Sequence, residues 1–291
     1  MIKISKTEVT PVSEMTGLTW YFIGPPKSGK TTNACSWSSQ GNTKTLLLDT
    51  DKGSDFMHGQ DVIPIEDIIP PRDLNGKILD PENRGQVYRS GSKKGEPMAT
   101  YSMGEILASM GIGEIPTTYE TIIVDTVDKL NEWSEKKVCR DLGIEDISDA
   151  GFGKGWSTAK NLVSKMVETL QDYCKSNGMN LVLISHSKET AMVDDKVQLS
   201  PELPRGLSKK LTAMSDAIGY ATFDKETQKP VLSFESYDER AVGSRIPALH
   251  NKSFPFDYRV IMKASEVKNE KPAPKTKVRA QKQQENIANV A

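Results

Sequence analysis

The residues with the clearest chemical potential stand together near the amino terminus: Gly24, Pro25, Pro26, Lys27, Ser28, Gly29, Lys30 and Thr31, followed by Thr32. They satisfy GxxxxGK[ST] between an apolar run, Thr19-Trp20-Tyr21-Phe22-Ile23, and a helical pattern. That is the context in which the motif wraps a phosphate chain. Glycines let the backbone close around phosphate oxygens, inward N–H groups bond them, and a helix N-terminus adds partial positive charge. Lys30 is then expected on the β and γ phosphates of ATP or a similar nucleotide, and Thr31 on Mg²⁺. The bland alternative is a Gly-Pro turn carrying a solvated lysine.

Such a cradle needs an acid at the end of a neighbouring strand, and Ile122-Ile123-Val124-Asp125-Thr126 supplies Asp125 to hold the metal through water. Hydrolysis adds a group that activates water. Leu46-Leu47-Leu48-Asp49-Thr50-Asp51 offers two acids. Asp51 lies past the strand end, within reach of a γ phosphate, or else merely opens the turn Asp51-Lys52-Gly53. Asp49 lies nearer the sheet and reads as structural. His186 follows an apolar run at 181–185, at the carboxyl ends where open α/β sheets bind ligands. It is either a sensor of the γ phosphate or a surface histidine.

The elements that must position these groups are apolar runs at 18–23, 45–49, 121–125 and 181–185, each read as a buried strand. Helical patterns fill 126–140 and 157–174, the second with Leu162, Val163, Met166, Val167, Leu170 and Cys174 on one face. Strands alternating with helices predict an α/β fold with a mostly parallel, doubly wound sheet. Strands at 217–223 and 231–237, joined by a polar turn, read as antiparallel additions at an edge. Residues 64–99 are rich in Pro, Gly and charge without a period, and read as an insertion or long loop. The expected organisation is one domain over 1–263 and a disordered Lys/Pro-rich tail over 264–291, too poor in apolar residues to offset ordering entropy.

Composition narrows the class. A net charge of −1 confines any nucleic-acid site to a local cluster of Lys and Arg. The three cysteines form no CxxC pair, which argues against a disulfide framework and a zinc site. No run of eighteen apolar residues and no signal-like start occurs. The expected setting is therefore the cytoplasm, with no membrane.

In order and spacing, Gly24 to Thr32, Leu47-Leu48-Asp49-Thr50-Asp51, Ile123-Val124-Asp125-Thr126 and Leu183-Ile184-Ser185-His186 resemble the RecA-like P-loop ATPases. More narrowly, the chain resembles the bacteriophage members implicated in single-strand annealing and recombination, over roughly residues 16–262. The resemblance implies that Asp51 activates water and that His186, often Gln in relatives, relays nucleotide state to DNA-binding loops. It implies ATP and Mg²⁺ as cofactors, a ring or filament of identical subunits, and the cytoplasm of a bacterial host if the chain is phage-encoded. A basic finger from a neighbouring subunit is commonly Lys-x-Arg. Here Arg245 matches the arginine, Gly243 replaces the lysine, and Arg240 is a substitute candidate. Either arginine also reads as a surface ion-pair partner.

The resemblance further implies single-stranded DNA as partner, with a single-strand-binding protein or replication protein alongside. Phe152 and Trp156, with Lys154 between glycines, suit base stacking in a first loop; a loop packed on the core is the alternative. A second segment, 187–210, brings Lys188, Lys196, Arg205, Lys209 and Lys210, the last two expected to open a helix. The leading expectation is an ATP-dependent single-strand-binding protein of phage recombination or replication. Alternatives are a helicase-like or helicase-loading ATPase, a nucleotide-gated scaffold without useful turnover, and a small-molecule kinase using Arg72, Arg84 and Arg89 as a lid.

Overall fold

A computed structural model describes residues 16–54, 57–89, 91–191, 197–236 and 241–266. Its strands are β1 (Thr19–Gly24), β2 (Thr45–Asp49), β3 (Asp61–Asp67), β4 (Tyr101–Ser102), β5 (Thr121–Asp125), β6 (Asn180–Ala191), β7 (Val197–Pro201), β8 (Ala217–Phe223), β9 (Pro230–Ser233), β10 (Gly243–Ser244) and β11 (Ser253–Pro255). Its helices are α1 (Lys30–Ala34), α2 (Met103–Gly111), α3 (Val127–Leu142), α4 (Lys154–Ser176), α5 (Arg205–Met214) and α6 (Tyr258–Ser265).

The sheet runs β11-β9-β8-β1-β6-β5-β2-β3-β4. From β8 through β4 every neighbouring pair on this path is parallel. β9, β10 and β11 add antiparallel pairs beyond β8, and β7 folds back on β6. This is the mostly parallel, doubly wound α/β architecture with antiparallel additions that the strand and helix pattern predicts.

Strand β1 is buried along its whole length because it is covered on both faces. Tyr21 and Ile23 enter a core with residues of α2, α3, α4 and α5. Trp20 and Phe22 enter the opposite core with Ala34 of α1, Ile261 of α6 and Trp37. On that second face Trp37 meets Trp20, Phe22, Phe256 and Tyr258 edge-on, with centroids 4.7–5.9 Å apart, a geometry that favours aromatic pairs beyond their burial.

Several expectations are corrected. Residues 64–67 belong to β3, which pairs parallel with β2, so the irregular segment begins after Asp67. β8 is no edge addition: it lies parallel to β1 inside the sheet. The apolar run at 181–185 continues to Ala191, and within 187–210 residues 187–191 pair antiparallel with 197–201, followed by α5, rather than forming a loop. Lys209 and Lys210 sit inside α5, not at its start. Lys154, Gly155 and Trp156 are already helical, because Gly153, with φ of 70°, caps α4. Helix α6 runs to Ser265, two residues past the expected domain end. Arg240, Lys196 and the tail from 267 onward lie outside the described residues.

Candidate functional site

Parallel strands set their carboxyl ends side by side. Gly24 of β1 is in register with His186 of β6, and Asp49 of β2 with Asp125 of β5. The loop after β1 therefore faces the acids at the ends of its neighbours.

Two glycines make that loop possible. A Cβ on Gly24 would stand 2.5 Å from the Ala221 carbonyl oxygen and 3.0 Å from Ser28 Oγ, and Gly29 has φ of 81°. Lys30 turns back over the loop, donating to the carbonyls of Gly24 and Pro25, both at 2.8 Å. Its side chain lies in a residue only 5% exposed. Burial pulls its pKa down, while Asp125, Asp128 and Asp51 oppose that shift. An ammonium has three protons, and two are committed to the loop.

Thr31 donates its hydroxyl to Asp125 Oδ2, so the two groups expected at Mg²⁺ stand together. Burial raises Asp125 to about 6; Thr31 and Lys30 pull it down, and Asp49 and Asp51 push it up. The Asp125–Thr126 peptide is cis. Thr50 fastens this end, accepting from Thr126 N–H at 2.6 Å and donating to Thr126 O at 2.9 Å. Among the described residues, the buried hydroxyls of Ser28 and Thr126 have no hydrogen-bond partner. Buried hydroxyls are ordinarily bonded, so orphans on the loop and beside Asp125 fit a site built for a polyphosphate and its cation. Pro25, Pro26, Lys27 and Thr32 are exposed around it.

The two acids after β2 separate cleanly. Asp49 accepts from the N–H groups of Asp51, Gly53 and Ser54 and from Ser54 Oγ, so it shapes the turn. Asp51 is exposed, and no bond to its carboxylate occurs among the described residues. Its charge reaches Lys30, Asp125 and His186.

His186 lies within β6 rather than after it, and Asp128 of α3 holds it. Asp128 Oδ2 accepts from the His186 backbone at 2.8 Å and lies 3.2 Å from ring Nδ1; Oδ1 accepts from Ser185 Oγ at 2.5 Å. The Asp128 hydrogen bond raises the His186 pKa against the opposing pull of burial. Sequence reasoning missed Asp128 and Thr50. The visible signal was that Asp128 stands three residues beyond Asp125, in the first turn of α3.

Of the candidate nucleic-acid residues, Lys154 and Trp156 fall on α4, with Phe152 in the turn before it, Arg205 on α5 and Lys188 on β6. α4 and α5 each lead into a parallel strand, so both begin at the carboxyl end of the sheet. Phe152 is fully exposed and Trp156 is 41% exposed. A Cβ on Gly206, next to the exposed Arg205, would lie 3.5 Å from Lys160 of α4. Lys188 is spent on the Leu203 carbonyl at 2.9 Å. Arg245 is elsewhere: it pairs with Asp216 at 2.8 Å, and Asp216 also accepts from Thr19 N at the amino end of β1. Arg84 does not suit a lid, because its side chain is 1% exposed and paired with Glu66 and Glu105.

No helix among the described residues is long and apolar enough to cross a membrane. A protein-family model described as an AAA domain matches residues 16–251. Among solved structures, the crystal structure of the RadB recombinase is similar, with 12% identity, 75% of this chain and 80% of that chain covered, and a TM-score of 0.36. No curated protein matches.

Proposed function

We propose, from the premise that this chain belongs to the AAA domain family, that it is a Mg²⁺-dependent ATPase whose nucleotide state governs binding of single-stranded DNA in recombination or replication of phage type. The observation that carries the nucleotide reading is the meeting of Lys30, Thr31 and Asp125 beside the unpartnered Ser28 and Thr126 hydroxyls.

Residues 24–32 bind the phosphate chain, with Lys30 offering its remaining proton to a phosphate oxygen. Thr31 and Asp125 would hold Mg²⁺, which supplies charge neutralisation on the phosphates when bound. Asp51, unencumbered where Asp49 is not, accepts the proton of the attacking water. His186 reports the γ phosphate to the β6–β7 hairpin that follows it. Phe152 just before α4, Lys154 and Trp156 on α4 and Arg205 on α5, with a lesser part for Lys188 on β6, offer stacking faces and positive charge to a single strand.

A second reading, a nucleotide-gated scaffold without useful turnover, is favoured by the finger pattern: Gly243 stands where the lysine would be, and Arg245 is paired with Asp216. If Arg245 acts at all, it acts on a neighbouring copy in a ring or filament.

One assay separates these readings: phosphate release from ATP with Mg²⁺ alone, with single-stranded DNA and with duplex, for the wild type and Asp51→Asn. Stimulation by single strands that Asp51→Asn abolishes is the expected result. Turnover indifferent to DNA would favour the scaffold.

A further inference from the structure

The phosphate cradle leaves the base of the nucleotide without a seat, and the sheet indicates where one must be. Thr31 and Asp125, which would hold the metal, stand together on the side of β1 that carries β6 and β5, so the γ end of a bound phosphate chain would lie there. Sugar and base would then leave the loop on the other side, where the neighbouring strand is β8.

That strand ends in an aromatic residue. Phe223 is 40% exposed although it closes a strand whose inner residues are buried or half-buried. Side chains alternate along a strand, so Ala217, Gly219, Ala221 and Phe223 share a face. Ala217 and Ala221 pack in the core that contains Ala34 of α1, which brings Phe223 out on the face where α1 starts. Across the hairpin Phe223 is paired with Pro230, and directly opposed residues share a face. Pro230 also reaches the cradle: a Cβ on Gly29 would lie 3.9 Å from its Cβ and Cγ.

The shelf is held in place. Asp224 accepts from the Thr227 N–H at 2.7 Å and its hydroxyl at 2.8 Å, and Asp224 N donates to Lys229 O at 2.9 Å. A clamped hairpin tip therefore presents an aromatic ring and a proline ring beside the first turn of α1.

We infer that Phe223 and Pro230 form the stacking shelf for the base of the bound nucleotide, an inference that rests on the P-loop reading above. A ring recognises the π face common to every base, so the shelf adds affinity without choosing adenine over guanine.

The test compares ATP, GTP and inorganic tripolyphosphate, each with Mg²⁺, by calorimetry on the full chain. Phe223→Ala should weaken ATP and GTP about tenfold, in line with base–aromatic stacking, and leave tripolyphosphate unchanged. Phe223→Trp should restore nucleotide affinity and lose indole fluorescence on adding ATP but not tripolyphosphate. Equal affinity of Phe223→Ala and wild type for ATP, or an equal loss for ATP and tripolyphosphate, would overturn the shelf. A wild type that binds neither ligand would overturn the phosphate cradle itself.

Discussion

Lys30 and Arg84 are both buried cations, and they are satisfied in opposite ways. Arg84 donates to the carbonyls of Leu79 and Thr100 and to the carboxylates of Glu66 and Glu105 at 2.6–3.3 Å. Its pKa is pushed up, chiefly by the Glu105 hydrogen bond. Lys30 has two loop carbonyls and a pKa pulled down by burial, with three carboxylates acting on it electrostatically rather than through an ion pair. A fully matched buried charge fixes structure, whereas one with bonding capacity left over is equipped for a ligand.

The harshest test of that contrast is Arg84→Met. It strips the cation from Glu66 and Glu105 and unties β3, the 68–100 segment and α2 from one another. Stability should fall by about 3 kcal/mol in urea unfolding, while ATP affinity of the folded fraction stays as it was. Lys30→Met should do the reverse. ATP affinity should drop about a hundredfold, or about 2.7 kcal/mol, with an unchanged or slightly raised Tm, since a desolvated charge has been removed. A Lys30→Met protein that melts early would erase the distinction.

The same contrast explains what could be read in advance. The strands at 45–49 and 121–125 were legible to the residue, because a strand covered on both faces is an unbroken apolar run ending in a polar residue. The cradle was legible because its chemistry is local in sequence. β3 was not: it carries Pro64 and acids, and only Ile65 of its seven residues is fully buried. The 68–100 segment has no hydrophobic period because turns, isolated bridges and the bonds of Arg84 hold its described residues, and Leu74, Ile78 and Val87 remain exposed. β8 was assigned to an edge because sequence order placed it late, while in space it lies beside the first strand. Asp128 was overlooked because its partners are 57 and 58 residues away.

Asp125 sharpens the contrast from the anionic side. Its folded pKa, about 6, stands above its ordinary 3.8, so the folded state takes up this proton first as pH falls. Its ionised form therefore costs stability at neutral pH, and that cost disappears as pH drops through 6 toward 4. Asp125→Asn should raise stability at pH 7 by on the order of 2 kcal/mol without Mg²⁺ and do nothing at pH 4. Hydrolysis should be lost. Equal gains at both pH values would mean that Asp125 is not a strained ligand awaiting a cation.

The smallest effect tests whether His186 belongs with Lys30 or with Arg84. Asp128 binds its backbone and lies beside Nδ1, and among the described residues no bond reaches Nε2, so the ring keeps one nitrogen for an incoming oxygen. A raised histidine pKa means stability fully present below the ordinary 6.5 and lost as pH climbs through the folded value. Asp128→Asn keeps the shape and removes the charge, at about 1 kcal/mol. The preference for ATP over ADP, measured across pH 5 to 9 as a ratio of affinities, should then lose its alkaline midpoint to a lower pH. A preference that ignores both pH and Asp128→Asn would place His186 with Arg84, as a residue whose charge serves only the fold. A midpoint that moves would place it with Lys30, because only a ring in contact with the γ phosphate passes its protonation state on to nucleotide choice.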